Sequence, residues 1–292
     1  MKTRTVSTLL ASVVLLAAAG TAVSALPIVY VASYGSDSNP GTITQPCLTF
    51  GGAYAKTDTG GEIKVLNAGN YHPSTDFLEI YKSITIDGGA GQMGMLTAGL
   101  AVDAGTVTLR NLSFNGSYDG IDVGVNASLV VDKCTFNCTN SAITIVGSGN
   151  NLNVLHSTIN GSHRGIWVEP NVSPDNTTLD DVNVTNTSGA AIFVESGTLD
   201  IKNSTLTDCY EGVVADTGGT IQATNDTLSH DVLAVISNTG STIGLSNDDI
   251  LDNTFGIYLA GSPAGTVTSA SNNRFVGNSS DGSNPTGSIT IK

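Results

Sequence analysis

The sequence predicts an all-β chain wound as a right-handed parallel β-helix, a solenoid of about ten coils. Three observations predict it. From Thr106 onward the chain repeats itself about every 22 residues, as in TVTLRNLSFNGSYDGIDV, SLVVDKCTFNCTNSAITI and NLNVLHSTINGSHRGIWV. Apolar residues within each unit alternate with period two, and Gly and Asn break the runs every few residues, which excludes helical repeats. The first apolar positions of the units are Val107, Leu129, Leu152, Thr177, Leu199, Ile221, Ile243 and Val267, at gaps of 22, 23, 25, 22, 22, 22 and 24 residues. One β-coil per unit is the expectation.

The elements follow in order. Residues 1–25 read as a signal peptide: Lys2 and Arg4, an apolar run from Leu9 to Ala19, and Val23-Ser24-Ala25 as a small-residue cleavage site. The run is short for a bilayer span, so the chain is expected to begin near Leu26 once exported. Its location is then secreted or otherwise extracytoplasmic, in a periplasm or at a cell surface, with no membrane span.

Residues 26–60 form an N-terminal cap, with a strand at Ile28–Val31, a turn-rich loop at Gly35–Gly41 and a short helix within Leu48–Lys56. A cap is needed because the end of a solenoid exposes an unpaired coil. Residues 61–292 are the β-helix with a C-terminal capping segment. Ile63 and Val65 open one early coil, and Ile84 and Ile86 open the next, 21 residues on. Ten coils at about 4.8 Å each give a rod on the order of 50 Å long. Ser288-Ile289-Thr290-Ile291 is expected to close the far end as a last strand.

Within a unit, Val107, Leu109, Leu112, Phe114, Ile121 and Val123 point inward. At the first turn Asn111, Asn203, Asn225 and Asn247 share a column with Lys133, His156 and Asp181. Stacked amides there are expected to hydrogen-bond along the axis as an interrupted ladder.

The formal charge is −14, with only 11 Lys and Arg in the chain. Such a chain has no basic stripe for phosphate, so nucleic acid is excluded as a partner. Cys47, Cys134, Cys138 and Cys209 show no metal-ligand spacing. Cys134 and Cys209 lie three coils apart, too far for a bridge. Cys134 and Cys138 meet only if the chain bends sharply between them; otherwise all four are buried thiols.

The opening Tyr30-Val31-Ala32, then Gly35-Ser36-Asp37-Ser38-Asn39-Pro40-Gly41-Thr42, Gln45-Pro46 and Thr49-Phe50, is similar to the entry segment of many secreted β-helix proteins. Gly60-Gly61-Glu62-Ile63-Lys64-Val65-Leu66 and Lys82-Ser83-Ile84-Thr85-Ile86 resemble the first coils of a secreted bacterial β-helix-repeat group. The chain as a whole looks like the right-handed parallel β-helix superfamily, best known for pectate lyases. The resemblance implies the fold and leaves the activity open, since the superfamily holds lyases, hydrolases, epimerases and proteins without a known reaction.

One outward column carries the functional expectation. It runs Asp122, Thr144, Trp167, Phe193, Val214, Ile236, Tyr258, so five consecutive coils present an apolar or aromatic side chain. Two residues on come Glu169, Glu195 and Asp216. The column before the stripe, from Gly120 and Ala142 to Gly256, is all Gly or Ala, which predicts a flat outer face. A continuous apolar stripe marks a contact. The expected ligand-binding residues are therefore Trp167, Phe193, Val214, Ile236 and Tyr258, as a platform for polysaccharide or surface-glycan rings or for a protein partner. The alternative is that the stripe packs under the tail, the cap or a neighbouring subunit, as in a homotrimer.

Glu169, Glu195 and Asp216, roughly 5 Å apart from coil to coil, form a candidate calcium site; otherwise they splay into solvent. No catalytic motif stands out. If the chain is a polysaccharide lyase or glycoside hydrolase, the candidates are Arg164 and the Glu169/Glu195 pair. The pectate lyase resemblance implies an Arg or Lys base, and carboxylates at that spacing suit a retaining hydrolase.

Overall fold

A computed structural model describes residues 26–73, 76–91 and 94–288. The segment read as a signal peptide lies outside them. The chain is a parallel β-solenoid of ten coils, each contributing one strand to each of three parallel sheets. The coil Ala127–Asp132, Thr135–Asn137, Ser141–Ile145 is representative. Among the described residues the first sheet has 12 strands and the other two have 10 each. The two extra strands, Leu26–Val31 and Gly287–Ser288, lie at opposite ends of the first sheet.

The repeat alignment is the register. Val107 pairs with Leu129, Leu129 with Leu152, Leu152 with Thr177, Leu199 with Ile221, Ile221 with Ile243 and Ile243 with Val267. One early step differs from expectation. Ile63 pairs with Ile86, not Ile84, and Ile84 pairs with Val107. Both early steps are thus 23 residues long. Because side chains alternate with period two, the two-residue difference leaves the buried face unchanged, and the sequence pattern cannot reveal it.

The core is a stack of apolar columns closed inside the three sheets. Phe114 and Phe136 stack face to face in successive coils, with centroids 4.7 Å apart. All four cysteines are free and buried, and burial pushes the Cys134 thiol up to about 12 and Cys138 to about 11. At the N-terminal end the Leu26–Val31 strand and the helix Phe50–Tyr54 cover the first coil. The helix starts where Thr49 accepts the Gly52 N–H at 2.9 Å, and Asp37 holds Thr49 in place through its N–H and its hydroxyl. At the far end Gly287 and Ser288 pair with Thr268 and Ser269. Ile289, Thr290 and Ile291, expected in that last strand, lie outside the described residues.

The first-turn column has a backbone cause. Asn111, Lys133, His156, Asp181, Asn203, Asn225 and Asn247 all have φ between 49° and 62°. Asn tolerates this left-handed conformation best among residues with a side chain. The amide ladder runs from Asn247 to Asn225 at 2.9 Å and from Asn225 to Asn203 at 2.7 Å. Where it is interrupted, the side chain reaches an aspartate of the previous coil instead: His156 to Asp132, Asn203 to Asp180 and Asn111 to Asp87.

The next corner position is buried and forms a second ladder, of carboxylates and amides on backbone N–H groups. Ser204 donates its N–H to Asp226, Asp226 to Asp248 and Asp248 to Asn273. At the other corner Cys209 donates to Asp231, Asp231 to Asn253 and Asn253 to Asn278. Burial, the largest cause, pushes Asp226 up to about 7, Asp231 to about 8 and Asp248 to about 6.

Candidate functional site

The third sheet carries the expected stripe. Asp122, Thr144, Trp167, Phe193, Val214, Ile236 and Tyr258 pair in unbroken order from coil to coil. Its surroundings differ from the expectation in four respects.

First, the Gly/Ala column faces inward. Ala142, Ala191 and Ala234 are fully buried members of the core. A Cβ placed on Gly165 would lie 2.3 Å from the Ala191 carbonyl oxygen and 3.0 Å from Val184 Cγ1. Two adjacent residues of the strand Asp119–Val123, Gly120 and Ile121, are both buried, and the ladder passes over the Gly120–Ala142 rung, so strict alternation fails inside the strand. The true outward neighbours of the stripe are Asp119, Ser141, Arg164, Ala190, Glu211, Leu233 and Phe255.

Second, Val214 and Ile236 are only 3% and 5% exposed. They form a small outer cluster with Ala190, against which Phe193 and Leu233 pack. These two are therefore covered by their own neighbours and present no surface to a ligand. Trp167 and Phe193 are half-buried, and Tyr258 is 48% exposed. The described part of the tail extends the third sheet with Ser280–Gly282, beside Phe255 and Ile257, and then ends on the first sheet at Gly287–Ser288.

Third, the ring faces are shared with a cation. The Arg164 guanidinium lies 4.5 Å from the centre of the Trp167 ring and 5.4 Å from that of Phe193. The indole Nε1 donates to Glu195 Oε2 at 2.7 Å. Arg164, Trp167, Phe193 and Glu195 thus form one patch of aromatic, guanidinium and carboxylate groups, each orienting the next.

Fourth, two of the three expected calcium ligands are engaged elsewhere. Glu195 turns to the indole, and Asp216 Oδ1 accepts the N–H and hydroxyl of Thr217, the next residue in its own turn. Among the described residues no group of three or more His, Cys, Asp or Glu is arranged to hold a metal ion.

A carboxylate group that sequence reasoning passed over lies at the upper end of the stripe. Asp122 is pushed up to about 7, by burial first and then by Asp119, Glu169 and Asp103. Glu169 is raised by burial, by Glu195 and by Asp119. Asp119 Oδ1 is held by the Asn140 amide and the Ser141 N–H, each at 2.9 Å. The one available signal was that Asp122 heads a column without another charge from Thr144 to Tyr258, three residues after another Asp. Glu211 is raised by burial, against the opposing charge of Arg164. Burial and its acidic neighbours thus bring the Asp122 carboxyl near neutrality. A separate hollow of 150 Å³, lined by Ile257, Phe275, Asp281, Ser283, Asn284 and Pro285, lies at the last coil.

No protein-family profile matches the chain, and no curated protein matches it. Three solved structures are similar. A rhamnogalacturonan lyase is 12% identical at a TM-score of 0.46, over 85% of this chain and 84% of its own. A pectate lyase is 14% identical at 0.39, over 84% and 70%. A GH136 lacto-N-biosidase from Eubacterium ramulus is 12% identical at 0.39, over 90% and 66%. At these identities the likeness is one of fold.

Proposed function

We propose that this chain is an exported, non-enzymatic glycan-binding solenoid whose binding surface is the third-sheet face around Trp167 and Phe193. One observation carries the reading. Two aromatic rings in adjacent coils stand half-exposed beside a carboxylate, Glu195, and a guanidinium, Arg164. Sugar rings bind such patches by laying C–H faces on the aromatics while charged side chains take the hydroxyls. The rungs are spaced about 4.8 Å apart, close to the length of one pyranose unit in an extended chain. Export is proposed from the leader-like residues 1–25.

Affinity electrophoresis through gels containing a panel of polysaccharides tests the proposal. Retardation by at least one polymer is expected. Trp167→Ala should weaken it about tenfold or more, as loss of one stacked aromatic costs about 1.5 kcal/mol or more. Retention unchanged in that variant refutes the site.

Asp122 favours a second reading, a polysaccharide hydrolase or lyase, because its carboxyl titrates near neutrality on the same face. That reading requires release of reducing or unsaturated sugar from the panel, abolished in Asp122→Asn. Retention without product leaves the binder.

A further inference from the structure

The distribution of charge around this face narrows what it binds. The cations of the chain are spent elsewhere. On the first sheet Glu62 pairs with Lys64 and Arg110, Asp87 with Arg110, Asp132 with His156, and Asp180 with Lys202. On the second sheet Asp249 pairs with Arg274. Around the stripe Asp103, Asp119, Asp122, Glu169, Glu195 and Glu211 have no ion pair among the described residues. The nearby cation, Arg164, lies over the Trp167 and Phe193 rings, and among the raised carboxylates its charge opposes only the rise of Glu211. Like charges spaced by coils at about 4.8 Å repel one another. The raised Asp122 and Glu169 are the sign of carboxylates left half-buried without a counter-charge. A ligand bearing more carboxylates would add to the repulsion, whereas one bearing ammonium groups would relieve it.

We infer that the face docks a cationic amino-sugar polymer, of the β-linked polyglucosamine type, in preference to neutral or uronate polymers; this rests on the glycan-binding reading above. Charge complementarity selects the ammonium, and the aromatic pair selects a sugar. A basic peptide would satisfy the carboxylates but has no flat C–H face to lay on Trp167. The polymer runs along the solenoid axis, its rings over the Trp167–Phe193 rungs. Its amines reach Glu169 beside the Trp167 rung and Asp122 two coils above.

The test compares oligomers of equal length by calorimetry against the purified chain at low salt near neutral pH, where amines and carboxylates both carry charge. The probes are β-1,4-linked glucosamine, its fully N-acetylated counterpart, galacturonate and oligolysine. The N-acetylated oligomer keeps the rings and loses only the charge. The glucosamine oligomer should bind about tenfold more tightly than the acetylated one, with the advantage fading as salt rises. Glu169→Gln should narrow that advantage and leave the acetylated oligomer unaffected. Trp167→Ala should weaken both sugars. Equal or tighter binding of the acetylated or galacturonate oligomer overturns the charge inference while the glycan-binding reading stands. Oligolysine binding as tightly as glucosamine, indifferent to Trp167→Ala, overturns it as unspecific attraction to acid. Failure of every sugar to bind removes both readings.

Discussion

Replacing Asp231 by Asn should stabilise the fold at alkaline pH and leave it nearly unchanged in acid. Asp231 is 2% exposed at a corner of the solenoid. Its Oδ1 accepts the Cys209 N–H at 2.8 Å, but Oδ2 is buried without a partner. Burial, and less so Asp208, push the carboxyl from an ordinary 3.8 up to about 8. The next two coils show what the site accepts. Asn253 Nδ2 donates to the Leu228 carbonyl and Asn278 Nδ2 to that of Ile250, each at 3.0 Å. The register runs Leu206, Leu228, Ile250, so the equivalent acceptor for residue 231 is the Leu206 carbonyl. An amide reaches it at any pH; a carboxyl does so only while protonated.

A folded pKa above the unfolded one means a contribution fully present below about 3.8, eroding as pH rises and lost above about 8. At about 1.4 kcal/mol per pH unit, ionised Asp231 costs on the order of 5 kcal/mol. Urea unfolding of both proteins between about pH 5 and about pH 8 measures this. The Asp231→Asn advantage should grow by about 3–4 kcal/mol across that window. Asp226 and Asp248, raised to about 7 and about 6, add a pH dependence common to both proteins. An advantage independent of pH, or a variant weaker at alkaline pH, would show that the Asp231 carboxylate is ionised and satisfied in the fold, refuting the argument.

The remaining predictions concern local geometry and the stripe. Gly165→Ala should destabilise by about 1–3 kcal/mol through overpacking, because its Cβ meets the Ala191 carbonyl at 2.3 Å; thermal unfolding reads it, and an unchanged midpoint contradicts the inward orientation of that column. Asn225→Ala removes both bonds of the amide ladder and a side chain suited to φ 62°, and should cost about 1–2 kcal/mol. Asn225→Gly should recover part of that loss, since glycine relieves the backbone but not the ladder; equal losses in the two variants would assign the whole effect to the amide. In Glu195→Ala the indole loses its acceptor at 2.7 Å, so Trp167 fluorescence should shift and glycan retention fall. An unaltered spectrum would mean that Glu195 does not hold the ring.

The stacking of coils was legible because an apolar residue every second position and a unit near 22 residues admit one register over most of the chain. Val107 through Val267 and Trp167 through Tyr258 fall where the repeats put them. The Ile63 step escaped because a slip by two residues hides behind the same alternation. The Gly/Ala column escaped because alternation fails inside these short strands, where Gly165 and Ile166 of Arg164–Val168 both turn inward. The burial of Asp226, Asp231 and Asp248 was not legible, since nothing local distinguishes a corner facing solvent from one facing the core.

What the sequence alone determined is the one-dimensional part: a periodic chain must stack like on like, so strands, columns and the amide ladder follow from spacing. What only the tertiary structure decided is how groups distant along the chain share space. Arg164 covering two rings, Glu195 taking an indole rather than a cation, and Asp122 losing its water are each fixed by neighbours one or more coils away. Burial and Coulomb interaction depend on those through-space distances, which the periodicity brings close without setting where each side chain turns.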